Sequence, residues 1–432
     1  MAGWIDRLWE PSLDAPARRH KRGGRYRAYR PDELRTRAIV LAPALSTRAA
    51  AVEQAVRRLT SGPETAGLEG LSRFLLRSEA IASSRIEGLQ VSVRQVATAE
   101  LAADEGLSVS GFTHNAQLVA NNITVLRKAA TDLATAPEVS VAGVHALHQA
   151  LLPDERLHGL RAVQNWIGGS DWHPLDAEFV PPPPELVPAL MHDLVEYANG
   201  GAHSALVQAA LVHAQFETIH PYVDGNGRVG RALLHTVLTR RGLTPSAVLP
   251  ISLVLLTRSE EYVEALTAYR YDGTSLEASA SEAMSTWIEL FLEATSIAVE
   301  QAGSFGTQLA ELRFNWLERL ASWRAEKGVR ERPRTGSAVA RLIELLPEAP
   351  VMTARTVQRM LGLSLPSARA AVEELAETGV VTRRQIERGT TGYLATEVFD
   401  LLTLAERRLA STRWDTRQSD PVRPVPARPQ NP

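Results

Sequence analysis

The chain has 432 residues, too many for one ordinary hydrophobic core and enough for two or three compact units. Lys+Arg 47 against Asp+Glu 49 leaves a net charge of -2, so no global basic field draws the molecule onto nucleic acid or an anionic membrane. The absence of cysteine excludes disulfides, thiolate metal ligands and a cysteine nucleophile. The first residues place charges and prolines where a signal peptide needs an apolar stretch, and the longest apolar run, 247–256, is about half of the roughly 20 residues that span a bilayer. A soluble, cytoplasmic protein with no membrane partner is therefore expected.

Residues 1–45 carry a basic cluster without hydrophobic period and predict a flexible arm and lead-in. From 46 to 300 the apolar spacing is helical, at 71–86, 116–133, 139–152, 186–197, 205–216, 229–238, 262–269 and 283–299. The stretch 166–184 is rich in Gly, Pro and aromatics and ends in four prolines, which predicts a long loop with room for a short hairpin. A charged helix over 304–327 and a polar linker at 330–337 make up a connecting unit, 301–337. Within 338–410, helices at 339–346, 353–361 and 367–378 precede two short strands at 380–384 and 392–395, the winged-helix order. Residues 411–432 predict a disordered proline-rich tail. The expected fold is mainly α, a helical core with a small hairpin followed by a winged helix.

The chemistry concentrates in 218–231, T-I-H-P-Y-V-D-G-N-G-R-V-G-R. A helix presents His220 at its end, and Pro221 cannot continue that helix. Asp224, Gly225, Asn226 and Gly227 form a tight connection into a second helix, whose first amides and dipole suit phosphate oxygens. Arg228 and Arg231 lie on one face of its first turn as planar phosphate clamps. Asp224 supplies the hard oxygen that Mg²⁺ prefers beside phosphates, and His220 is the nearby group able to take a proton near neutral pH. Any one of these features is commonplace; base, metal ligand, amide cradle and two clamps in one loop-helix unit make a site.

The segment HPYVDGNGRVGR resembles the signature of the Fic family, HPFx(D/E)GNGRxxR, with Tyr222 where phenylalanine is usual. The resemblance implies a protein adenylyltransferase: AMP passes from ATP to a Tyr, Ser or Thr hydroxyl of a target protein, the enzyme itself included, and pyrophosphate leaves. It implies that His220 deprotonates the hydroxyl and that Asp224 holds Mg²⁺. Gly225, Asn226 and Gly227 would form the anion hole, Arg228 and Arg231 would bind the phosphates, and Val229 and Gly230 complete the nucleotide-binding set. The stretches RYRAYRPDEL, FLLRSEAIASSRIEG and GLRAVQNWIGG extend the likeness over roughly 25–400, placing the catalytic domain at 46–300.

Ser83 and Glu87 share one face of the predicted helix 71–86, and Gly88 follows where a C-cap glycine ends it. A glutamate at a helix C-terminus faces an unfavourable dipole, so something else should offset its charge, either solvent beside an ordinary cap or an arginine of the phosphate site. The segment resembles the family's inhibitory motif (S/T)xxxE(G/N), which implies that Glu87 pairs with Arg231 and blocks productive seating of the γ-phosphate. By position in the family, Phe179 and Val180 are flap contacts for a target chain, and Tyr262 and Tyr269 are adenine contacts.

The winged helix brings a competing reading, a DNA-binding regulator carrying a Fic-like domain. Between 336 and 410 nine arginines face nine acids, and Glu373, Glu374 and Glu377 lie on the would-be recognition helix beside Arg369. DNA affinity needs a basic face, so a protein-contact or homodimer role is favoured over DNA, although Arg383, Arg384 and Arg388 on the wing keep DNA in view. A Fic enzyme moving UMP, phosphocholine or phosphate is a further alternative.

Overall fold

The structure is a computed structural model that describes residues 1–11, 14–61, 69–105, 112–245, 247–387 and 389–412. The expected tail from 413 onward and Arg388 of the wing lie outside them. A hairpin opens the chain: β1 (Gly3–Trp9) pairs antiparallel with β2 (Gly24–Arg30) from Gly3↔Arg30 to Trp9↔Gly24. This corrects the flexible arm expected for 1–45. The arginines that hid the strand period lie beside aromatic rings and acids. Arg27 covers Trp4 at 5.3 Å, Arg22 pairs with Asp176 at 2.9 Å, and Tyr29 is buried with its hydroxyl on the Tyr271 carbonyl at 2.7 Å.

Helices then follow in close succession: α1 (Pro43–Ser61), α2 (Glu69–Ile86), α3 (Val93–Glu105), α4 (His114–Lys128), α5 (Val141–Leu151), α6 (Val187–Asn199), α7 (Ala205–Ile219), α8 (Asn226–Arg240), α9 (Ile251–Thr257), α10 (Ser259–Ala268) and α11 (Ala278–Glu326). A π turn, Ala129–Leu133, prolongs α4 to the expected end. Every residue of α7 is buried, which makes it the axis of the core, with α6, α8 and α11 packed around it. Its polar side chains find partners there, as when the Gln215 amide donates to the Asp32 carbonyl at 2.8 Å. The two helices expected over 283–299 and 304–327 are one helix of 49 residues, about 70 Å long. Phe305, buried edge-on against Phe74 at 4.9 Å, anchors the middle of that helix on α2. Among the described residues no helix is long and apolar enough to cross a membrane.

The C-terminal unit runs α12 (Ala338–Leu345), β3 (Val351–Met352), α13 (Ala354–Leu361), α14 (Leu365–Glu377), β4 (Thr382–Glu387), β5 (Thr390–Leu394) and α15 (Thr396–Thr412). Its antiparallel sheet has the order β3-β5-β4, and Gly362 turns α13 into α14 with φ 65°. This is the helix, helix, helix, wing arrangement. The acids of α14 are neutralised within the protein: Glu374 by Arg324 at 2.5 Å, and Glu373 by Arg383 at 2.7 Å. The unit packs on the helical core through Arg77, whose guanidinium donates to the Glu348 carbonyl at 3.0 Å, and through Thr353, on Glu105 at 3.2 Å.

Candidate functional site

α7 ends at Ile219, and His220 takes its C-cap in the left-handed conformation at φ 49° and ψ 61°. It is the one non-glycine residue at positive φ among the described residues, a conformation an L side chain adopts at a cost. The following loop is tied together by its own side chains. The Asn226 carboxamide accepts from the Tyr222 N–H at 2.8 Å and donates to the Tyr222 carbonyl at 2.9 Å. Tyr222 is buried, its ring stacked on His148 at 3.8 Å and its hydroxyl on His145 Nδ1 at 2.9 Å, so the phenol oxygen has the partner that its substitution for phenylalanine requires. His148 in turn holds the Asp224 carbonyl at 3.0 Å. Gly225 caps α8 at φ 78°, with Leu151 2.9 Å from where a Cβ would sit.

The sequence-predicted residues converge on the first turn of α8. Asp224 keeps its carboxylate largely exposed, with Arg228 Nη2 at 3.6 Å. Arg228 is buried, yet its Nε and Nη1 have no hydrogen-bond partner. Arg231, equally buried, is held by three bonds: Nε donates to Ser83 Oγ and Nη2 to the Ser83 carbonyl and to Glu87 Oε1, each at 2.8 Å. A Cβ on Gly227 would fall 2.0 Å from Glu87 Oε1, so the Glu87 carboxylate rests directly on the amide turn. Burial opposes that charge, but the Arg231 guanidinium, with Arg228 and His220 behind it, outweighs burial and holds the carboxyl below its usual range. Burial lowers His220 to about 4 against the pull of Glu87, with Arg161 and Arg270 adding to the drop. The imidazole is therefore neutral near pH 7, the form that accepts a proton. Glu217, 4.0 Å from His220, is pushed up to about 8 by burial and is protonated there.

The loop 166–184 holds the short hairpin: Ile167 pairs with Phe179 across Gly168 and Gly169, both at positive φ. Phe179 and Val180 face inward, Phe179 under the Arg270 guanidinium at 3.4 Å and Val180 with its carbonyl on the Tyr29 N–H at 2.9 Å. Their side chains are core, and the β2 strand already occupies that carbonyl. Tyr262 and Tyr269 are likewise buried, their hydroxyls on His213 at 2.9 Å and on Arg37 at 2.9 Å. Apolar helix spacing pointed to core for both, and both side chains lie in the core. Arg161 and Asn165, which hydrogen-bond the His220 carbonyl at 2.9 and 3.2 Å, had no assigned role in the sequence reading. Both lie in the quoted stretch GLRAVQNWIGG, but bonds to backbone carbonyls leave no pattern by which to find them.

A loop-helix unit carrying a neutral histidine, an exposed carboxylate and buried guanidinium groups at a helix N-terminus has the donors of an anion site. Residues 138–238, which include all of this unit, match the model of the Fic/DOC family. A probable protein adenylyltransferase of Aquifex aeolicus is 32% identical over 202 residues, covering 46% of this chain and 56% of that protein. The protein adenylyltransferase fic-1 of Caenorhabditis elegans is 28% identical over 131 residues, 29% of this chain and 23% of that one. The chain thus spans about half or less of the length of these curated relatives. In fold it is similar to a Fic family protein from Desulfovibrio desulfuricans, with TM-score 0.50 and 23% identity over 82% of this chain and 97% of that one.

Proposed function

We propose that the protein is a protein adenylyltransferase that moves AMP from ATP to a protein Tyr, Ser or Thr hydroxyl. The observation that carries this reading is the state of the first turn of α8: a buried Arg228 with two unpartnered N–H directions beside an uncharged His220. A buried guanidinium without acceptors is costly, and phosphate oxygens would satisfy it. In the reaction the target oxygen bonds to the α-phosphorus, the bond from that phosphorus to the bridging oxygen breaks, and pyrophosphate departs. The hydroxyl proton passes to the His220 imidazole. The amides at Gly225 to Gly227 and Arg228 would stabilise the charge that grows on the phosphoryl oxygens.

The donor set suits Mg²⁺. Among the described residues no group of three or more His, Cys, Asp or Glu gathers as a metal cage, and Asp224 offers the single exposed carboxylate that Mg²⁺ takes beside substrate phosphates. Mg²⁺ held there would neutralise phosphate charge. Glu87 is read as a brake, since it occupies Arg231 and lies against Gly227 where a phosphate would be cradled.

Incubation of the purified chain with ATP labelled separately at the α- and γ-phosphate, followed by intact mass, tests the reading. A gain of one AMP with α-label retained supports it; γ-label retention or no gain in the presence of Mg²⁺, also with Glu87→Gly, overturns it.

A further inference from the structure

We propose that Arg161 is a positioning residue that aims His220 and couples it to the hairpin loop, an inference that rests on the adenylyltransferase reading for its kinetic arm but not for its spectroscopic arm. Residue 161 takes three successive carbonyls around the base. Its guanidinium donates to the Ile219 carbonyl at 3.3 Å and to the His220 carbonyl at 2.9 Å, and its backbone N–H donates to the Pro221 carbonyl at 2.9 Å. The same side chain donates to the Pro182 carbonyl at 2.6 Å, on the return of the loop that contains Phe179 and Val180, and to the Val163 carbonyl at 3.2 Å.

The arrangement answers a specific need. His220 is the one non-glycine left-handed residue among the described residues, and nothing in its own helix fixes the carbonyl that follows the turn. Arg161 is buried, makes no ion pair with a carboxylate among the described residues, and spends its donors on backbone oxygens. A rigid fork can hold carbonyls of two segments at once; a lysine, with its flexible stem, cannot hold the same set in one plane. Asn165 backs the arrangement from the other side, donating to the His220 and Tyr222 carbonyls at 3.2 and 3.1 Å. The loop 166–184 and the base therefore share one side chain, and a shift of the loop is felt at His220.

Arg161 also acts on His220 through its charge. The groups that face the imidazole are Glu217 on α7, Glu87 after α2, Arg161, and Arg270 after α10; the two arginines lower its proton affinity and Glu87 raises it. Geometry and charge can be separated by two substitutions in the full chain. Arg161→Lys keeps the cation and loses the fork. Arg161→Gln loses the cation and keeps one amide donor.

The first measurement is the titration of His220 by NMR with labelled histidine, assigned through His220→Ala. Arg161→Gln is expected to raise the His220 midpoint by half a unit or more, and Arg161→Lys to leave it within a few tenths. The second is adenylylation kinetics in the Glu87→Gly background. Arg161→Lys is expected to lower kcat at least tenfold with KM for ATP changed less than threefold, since a misaimed base fails in the chemical step while binding persists. Asn165→Ala should lower kcat in the same manner by a smaller factor. The proposal is overturned if Arg161→Lys retains kcat, if its loss comes with an equal loss of ATP affinity or a lowered melting temperature, or if Arg161→Gln leaves the His220 midpoint unmoved. Absence of AMP transfer in the parent chain would sink the enzymatic reading alone, because the titration decides the positional claim without turnover.

Discussion

Arg228 and Arg231 stand three residues apart on one turn of α8, both buried, and differ in what surrounds them. Arg231 faces α2, where Ser83 and Glu87 take its Nε and Nη2 donors; Arg228 faces the loop, where Asp224 at 3.6 Å is its one ion-pair partner and Glu87 acts on it only from further off. One half of the turn is closed by the protein itself, and the other half keeps unpartnered donors, which the proposed function assigns to phosphate oxygens. The contrast teaches that the same residue type on one turn of a helix can be satisfied by the protein in one place and left with free donors in another, and that partners rather than burial tell them apart.

The largest effect is expected on the open side. His220→Ala should lower AMP transfer by about 10²–10⁴-fold while ATP binding and folding hold, since the base acts in the chemical step. Substantial labelling from α-labelled ATP by this variant would end the assignment. The pH profile carries a second check. Activity requires the unprotonated imidazole, so it falls as pH drops through the folded pKa. Burial places that pKa near 4. The acid limb of kcat/KM is therefore expected well below the ordinary histidine value of about 6.5. Removing Glu87, whose charge raises His220, should move the limb lower still; a limb at 6.5 or above in both proteins would contradict the buried, uncharged base.

Opening the closed side comes next. Glu87→Gly should raise automodification about tenfold to a hundredfold, as expected for loss of one charge-assisted pair of roughly 1.5–3 kcal/mol. The sign is the test, because a carboxylate that held metal would lower activity when removed and a mere surface charge would change nothing. The two arginines should also part in stability. Arg231→Ala breaks three bonds at 2.8 Å and is expected to cost about 1.5–3 kcal/mol in urea unfolding, whereas Arg228→Ala removes an unsatisfied buried cation and should cost less than about 0.5 kcal/mol or stabilise. Equal losses would erase the difference between the halves.

Much of this was legible in the chain. The loop-helix unit could be read because all its parts fall in twelve residues, and local geometry alone brings them together. The Glu87 to Arg231 pair spans 144 positions, yet helical spacing put Ser83 and Glu87 on one face and the motif supplied the partner. Arg161 could not be found, since its acceptors are carbonyls that every residue carries. The N-terminal hairpin was hidden because its arginines cover aromatic rings, which reads as a charge cluster when the rings' neighbours are unknown. For Tyr262 and Tyr269 position in a family suggested a ligand, while apolar helix spacing suggested the burial and the hydroxyl partners His213, Arg37 and Gln215 that they have.

The smallest expected effect belongs to the scaffold beneath the open half. Tyr222→Phe deletes the hydroxyl that meets His145 Nδ1 at 2.9 Å and leaves the ring stacked on His148 at 3.8 Å. His145 is only partly buried, so water can replace the phenol, and the loss should sit at the low end of a neutral hydrogen bond, about 0.5 kcal/mol. The backbone of Tyr222 keeps both bonds to Asn226, which set the turn that aims His220 and opens α8. AMP transfer should therefore change less than twofold, with a small drop in the urea midpoint. A tenfold loss of kcat at unchanged stability would mean that the phenol takes part in the chemistry. The loop would then contribute through its side chains as well as its backbone, and the open half of the turn would begin one residue group earlier than Asp224.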